Sequence, residues 1–308
     1  MKLKQIKVTT LIILFFSASL GHGRAMILHQ NNYNDRPRAT MRISEYLCML
    51  CKKNDTELVK NLLGNYSINM DQDITNYASD HWLCLHSAYM HSNIEMVKFL
   101  IDHPNIGPNI VDREGFTCLH WACIHGIRDW PYHIDYSKSI VRLFLDHSNI
   151  DVNIQNEDGN TALHLACWHD LEDIVKLLLA HPNTDPNIQN NEGRTPLHAA
   201  CRNNNAKAVK VLVNHPHTNL NIQDNNGDTA LHLVCNWVES WRYIEAEIIS
   251  LLFANDSVDP NIKNNDGYYP LDLARMNGYT QAVNFLLNFP NTNHFLQVLA
   301  TIFPHVVL

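Results

Sequence analysis

The apolar positions of this chain follow a helical period that is itself repeated. Over residues 156–201, NEDGNTALHLACWHDLEDIVKLLLAHPNTDPNIQNNEGRTPLHAAC, one face of a short first helix is marked by Leu163, Ala166 and Cys167. A second helix is marked by Ile174, Val175, Leu177, Leu178 and Leu179. A polar, turn-rich stretch, HPNTDPNIQNNEG, then leads into another copy of the pattern. Gly159, Thr161, Leu163, His164, Ala166 and Cys167 are matched by Gly193, Thr195, Leu197, His198, Ala200 and Cys201, each 34 residues further on. A unit of turn, helix, loop and helix is too small to bury its own apolar face, so it must stack on copies of itself.

The run Thr195, Pro196, Leu197, His198, Ala199, Ala200 reads T-P-L-H-A-A. In this run and in its period the chain resembles the ankyrin repeat family, whose units are about 33 residues long with a T-P-L-H-x-A signature. The resemblance implies an all-α solenoid of about six or seven stacked helix-turn-helix units with turn or hairpin tips. It also implies non-catalytic binding of a protein partner on the face formed by turn tips and first helices.

Used as a ruler, the stretch at 156–201 places the other units. The first is degenerate, with Tyr46, Leu47, Met49 and Leu50 followed by Leu58, Val59, Leu62 and Leu63. The second carries Leu85 and His86; the loop before it is six residues longer than its counterpart, and His81 takes the place of the turn glycine. In the third, Ile140 follows His120 by twenty residues where Ile174 follows His164 by ten, so ten extra residues fall within GIRDWPYHIDYSK. In the sixth, Ile248 follows His232 by sixteen, and Val238 stands where the helix-ending residue belongs, so the first helix is expected to run on and carry Trp237, Trp241 and Tyr243. Elsewhere Gly126, Asp170, Asn204 and Gly278 hold that helix-ending position, which calls for a positive φ. The last unit has Asp272 in place of the histidine, a drift that suits a cap.

The repeats therefore span residues 43–293, preceded by a polar linker at 24–42 and followed by an apolar segment at 294–308. In that segment Phe295, Leu296, Val298, Leu299 and Ile302 have helical spacing, expected to lid the stack. Residues 1–23 have a basic start, an apolar run at 8–20 and small residues Ser19, Gly21 and Gly23, the pattern of a secretory signal. The alternative is a membrane anchor, although about 20 apolar residues are usual for a span. Signal-bearing ankyrin proteins with no further domain resemble those of bacteria that live in or on eukaryotic hosts, which implies an exported, host-directed binding protein, expected as a monomer.

The formal charge is −8, and the first 23 residues contain three lysines and no acid, so the remainder is more acidic still. Such a chain is a poor match for nucleic acid phosphates. The cysteines number eight, but Cys123, Cys167, Cys201 and Cys235 share one repeat position. Stacked helices lie about 8–10 Å apart, beyond the roughly 7 Å between Cα atoms that a disulfide tolerates. They read as small buried side chains, as does the C-x-x-C of Cys48 and Cys51, which lacks both a βαβ setting and a second C-x-x-C.

Nineteen histidines invite a metal reading. The resemblance makes His86, His120, His164, His198 and His232 structural, tying turns together. The pairs His86/His91, His120/His125 and His164/His169 are five residues apart and so do not share a helix face. There is no G-x-S-x-G, no H-E-x-x-H and no glycine-rich phosphate loop. Neither a metal, a cofactor nor a catalytic residue is expected. The rival reading is a metal-dependent enzyme built in residues 121–136, with His125 and His133 as ligands.

A surface remains. The tips, exemplified by Asn156, Glu157, Asp158 and Asn190, Asn191, Glu192, are acidic and amide-rich, which suits a basic or polar partner. Trp121, Trp130, Tyr132, Trp168, Trp237, Trp241 and Tyr268 fall at variable first-helix or tip positions or in the two insertions, and interfaces are enriched in Trp and Tyr. These seven are the expected partner-binding residues.

Overall fold

The computed structural model describes residues 24–25, 41–42, 49–65, 79–104, 106–125, 133–236 and 245–288. The chain divides into two units, residues 1–113 and 114–308. In the first, the two ends of the 24–42 stretch meet as an antiparallel pair, Arg24 opposite Arg42 and Ala25 opposite Met41. Apart from this pair, every regular element among the described residues is helical.

In the first unit a helical turn at residues 49–52 is followed by α1 (Thr56–Asn65), and α2 (Ser79–Met90) by α3 (Ile94–Ile101). The turn expected around His81 is not there. Helix α2 starts at Ser79 and runs for 12 residues, so residue 81 is helical. Without a glycine at that point nothing in the sequence requires positive φ, and the helix extends backward into the segment the turn would have used. The residues before it, 66–78, lie outside the described part. Met96, Val97, Leu100 and Ile101 give α3 its buried stripe, and Asn93 caps it by accepting the Met96 N–H at 2.9 Å.

The second unit is five helix pairs: α4 (Cys118–His125) with α5 (His133–Leu145), α6 (Ala162–Trp168) with α7 (Glu172–Ala180), and α8 (Pro196–Arg202) with α9 (Ala206–Val213). They continue as α10 (Ala230–Cys235) with α11 (Glu245–Phe253) and α12 (Pro270–Met276) with α13 (Thr280–Asn288). First helices pack on first helices and second on second throughout. Ile174, Val175 and Leu178 of α7 and Val209, Leu212 and Val213 of α9 are all buried, whereas Leu177 is half-exposed. The spacings, i, i+1, i+4 in α7 and i, i+3, i+4 in α9, are the stripe a two-sided stack demands.

Both insertions depart from expectation. Part of the first lengthens the second helix instead of looping out: α5 has 13 residues where α7 has 9. Residues 126–132 lie outside the described part. In the second, α10 does not run on; it ends at Cys235 with Asn236 as its C-cap. At that end Asn277 Nδ2 of the next repeat donates to the Cys235 carbonyl at 3.3 Å, one of the terminal carbonyls a helix leaves without an internal partner. Residues 237–244 are outside the described part, as are 1–23 and 289–308.

Positive φ appears at Asp170 (53°), Asn204 (57°) and Gly278 (65°) as expected, and also at Asn54 (60°) and Ser92 (56°). At the tips, Gly159 shows why glycine recurs. Its φ is 77°, and a Cβ built there would meet the Asn191 amide nitrogen at 2.6 Å.

Candidate functional site

The second unit presents one continuous surface in which buried histidines set the positions of exposed side chains. Each first helix before the last follows a threonine and has a histidine at its third residue. Thr161 N–H donates to His164 Nδ1 at 3.1 Å, and the Thr161 hydroxyl lies 2.9 Å from the same nitrogen. His164 Nε2 lies 2.9 Å from the carbonyl oxygen of Arg194 in the next repeat. An Nδ1 that accepts an N–H must be bare, so the proton sits on Nε2 and donates to that carbonyl. The same geometry recurs for His120 with Thr117 and the Asn160 carbonyl at 3.0 Å, and for His198 with Thr195 and the Asp228 carbonyl at 3.1 Å. His232 repeats it with Thr229 and the Tyr268 carbonyl at 3.2 Å.

Burial holds the His164 and His198 imidazoles down to a pKa of about 4, and it lowers His232 as well. These rings are neutral crosslinks. Asp272, at the same position in the last repeat, reproduces the intrarepeat half: its Oδ2 accepts the Tyr269 N–H at 2.9 Å. A carboxylate has no N–H to offer an onward carbonyl, which fits a terminal repeat.

Cys123, Cys167, Cys201 and Cys235 form a ladder behind the histidines, all buried. Burial pushes each thiol well up from its ordinary value, so none serves as a nucleophile at neutral pH. Among the described residues no three His, Cys, Asp or Glu side chains are grouped to hold a metal ion. The side chains of His125 and His133, on which the metal reading depended, lie outside the described part.

The tips correct one expectation. Much of their amide and acid content turns inward instead of waiting for a partner. Asn156 Oδ1 accepts the N–H of Asp158 at 3.1 Å and of Asn160 at 2.8 Å; Asn190, Asp224 and Asn264 act the same way in their own tips. Neighbouring tips are then joined by backbone bonds, Asn191 N–H to the Asp158 carbonyl and Asn225 N–H to the Glu192 carbonyl, each at 3.0 Å. Asn and Asp recur there because they build Asx turns, a local demand that composition alone cannot separate from a binding role. The acids that stay outward include Glu114, Glu157, Asp158, Glu192 and Asp266. Glu192 is already paired with Arg194.

Of the seven expected partner-binding residues, Trp121, Trp168 and Tyr268 fall in the described part; Trp130, Tyr132, Trp237 and Trp241 lie outside it. Trp121 is half-buried beside Phe116, with ring centroids 5.3 Å apart. Trp168 is 44% exposed, more open than Trp121. Its backbone is held firmly: Asn205 Nδ2 donates to the carbonyls of Cys167 at 2.8 Å and Trp168 at 2.7 Å. Tyr268 is half-buried at a separate tip, where its carbonyl accepts from His232, so it does not join the tryptophans.

Counted from the ladder histidines, Trp121 stands at the first following residue and Trp168 at the fourth. Residues three apart share a helix face, so Ile124 and Leu165 complete the pattern on α4 and α6, and both are half-exposed. In the next repeat the same positions hold Ala199 and Arg202, and the apolar character stops. Ile124 and Leu165 were missed from sequence because aromatic residues drew attention; laying the units on the 34-residue ruler would have found them.

Comparison with known proteins agrees with this architecture. A family model described as ankyrin repeats (3 copies) matches residues 47–130, 132–190 and 173–244, and a single ankyrin repeat model matches 226–265. The chain is similar to the crystal structure of the ankyrin repeat domain of Bcl-3, described as a unique member of the IkappaB protein family, with 25% identity and a TM-score of 0.62 over 78% of this chain and 96% of that one. It is also similar in fold to EF0377, an ankyrin repeat protein, with 24% identity and a TM-score of 0.57 over 67% of this chain and 96% of that one. A search of functionally curated proteins gives no match. Ankyrin repeats generally mediate protein–protein interaction, typically without catalysis. With buried His–Thr capping, inter-repeat carbonyl bonds and matches along most of its length, this chain belongs to the ankyrin repeat family.

Proposed function

We propose that this protein binds a protein partner through the apolar corner formed by Trp121, Ile124, Leu165 and Trp168, with Glu157 and Asp158 on the neighbouring tip. The observation that carries this is Trp168: a large aromatic side chain left 44% exposed on a helix end whose carbonyls Asn205 pins in place. A rigid, open aromatic loses little entropy on docking, and such residues dominate binding energy in interfaces. The matching partner segment carries apolar anchors with basic residues beside them, because the outward acids Glu157 and Asp158 have no ion pair among the described residues. The test is a proximity or pull-down comparison of wild type with Trp121→Ala/Trp168→Ala. Recovery of the same partners at the same strength would sink the reading.

The protein works, in this proposal, outside the cytoplasm that makes it. The support is the basic, apolar and small-residue order of residues 1–23. A host protein as the partner rests on resemblance to signal-bearing ankyrin proteins alone. Mass spectrometry of the exported chain decides: a mature start near residue 22 or 24 supports release, and an intact start supports tethering through residues 8–20. No helix among the described residues is long and apolar enough to cross a membrane.

A further inference from the structure

Arg202 stands four residues after His198, the place that Trp168 holds after His164, and the helices that carry them, α8 and α6, pack on each other. The turns that follow these helices are bonded together. Asn205 Nδ2 donates to the Cys167 and Trp168 carbonyls at 2.8 and 2.7 Å, and the Ala208 N–H donates to Asp170 Oδ1 at 3.1 Å. The open tryptophan and the start of α9 thus form one fixed corner. Arg202 and Lys207, both exposed, bring two cations to it.

The acids of the preceding repeat are committed elsewhere. Glu172 accepts from Lys176 at 2.6 Å, Asp173 accepts from Lys138 at 2.9 Å, and Asp170 holds the Ala208 N–H. Among the described residues neither Arg202 nor Lys207 has an ion pair. The equivalent of Arg202 in the next repeat is the neutral Asn236.

Helix stability accounts for one of these cations and not the other. Arg202 ends α8, where the helix dipole favours positive charge. Lys207 is the second residue of α9, where the dipole favours an acid, and α7 has Glu172 and Asp173 in its own first turn. The fold gains nothing from a lysine there. Its position beside Trp168 and Arg202 gives it a use in recognition.

The geometry points to a partner segment that sets an acidic side chain beside its apolar anchor, so that the anchor packs on Trp168 while the carboxylate meets Arg202 and Lys207. This inference rests on the Trp168 corner being the docking site. The Arg202 guanidinium can take a carboxylate through two parallel N–H donors, and Lys207 adds a point charge. Such pairs contribute little in open water but more where an apolar anchor excludes it, and they fix orientation. With Glu157 and Asp158 outward at the tip before α6, the segment lies with its basic residue toward the tip and its acidic residue toward α9.

The test pans a phage-displayed library of random peptides against the immobilised full chain, then titrates a synthetic enriched peptide by fluorescence anisotropy. Enriched peptides are expected to carry Asp or Glu beside an apolar residue. Arg202→Glu/Lys207→Glu is expected to weaken the peptide about tenfold or more. The same peptide with its acid replaced by lysine is expected to bind wild type weakly and the double variant better. Thermal unfolding of the double variant is expected to match wild type, because both side chains are exposed. Enriched peptides without acids, or an affinity indifferent to both charge reversals, overturn the inference. Trp168→Ala separates the two readings. A peptide that needs Trp168 but neither cation overturns this inference and leaves the corner standing; one that does not need Trp168, or a panning that enriches nothing, overturns both.

Discussion

His164 Nε2 donates to the carbonyl oxygen of Arg194 at 2.9 Å across a repeat boundary, while its Nδ1 accepts the Thr161 N–H within the same repeat. One ring thus closes the start of its own helix and fastens the tip of the next unit. His164→Ala leaves the buried Thr161 N–H without its acceptor, while the Arg194 carbonyl keeps the Asn190 N–H at 2.8 Å. The expected cost is about 1–3 kcal/mol of unfolding free energy, the range for one buried group left unsatisfied. Urea unfolding measures it, and a loss under about 0.5 kcal/mol would contradict the crosslink. Asp272→Ala removes only the intrarepeat bond and is expected to cost less.

Acid stability follows from the same rings. His164 and His198 titrate near 4 when folded and near 6.5 when unfolded, so between these values the unfolded chain binds more protons. Their contribution is complete above about pH 6.5 and is lost as the pH falls toward 4, on the order of 3 kcal/mol for each histidine. Chemical unfolding across this window is expected to show the slope. His198→Gln, which cannot titrate, is expected to flatten it; an unchanged slope would show that other groups cause it.

The tip glycines divide into two classes. Gly159 and Gly267 both have positive φ, 77° and 84°, but a Cβ at Gly159 collides with the backbone of the next tip while one at Gly267 meets nothing within 4 Å. Gly267→Ala is expected to cost about 1 kcal/mol for the left-handed backbone alone. Gly159→Ala adds the displacement of the Asn191 backbone and is expected to cost at least about 1 kcal/mol more. Equal melting temperatures for the two variants would contradict the close approach.

Binding and folding are separable at Trp168. Because its side chain is 44% exposed, Trp168→Ala is expected to shift stability by no more than about 0.5–1 kcal/mol. In binding, an anchor of this type is expected to cost about 2 kcal/mol or more, roughly thirtyfold in affinity. Titration calorimetry against a recovered partner, beside thermal unfolding of the same variant, distinguishes an anchor from a packing residue.

The sequence by itself determined the repeat: a 34-residue period, T-P-L-H-A-A at 195–200 and apolar stripes with helical spacing leave no other way to bury so many small amphipathic helices. It also placed Asp170, Asn204 and Gly278 at positive φ, because only a few residue types tolerate that conformation. Tertiary structure decided what depends on neighbours. Asn277 of the following repeat bonds the Cys235 carbonyl at the end of α10, and Asn156 and Asp224 accept hydrogen bonds inside their own tips.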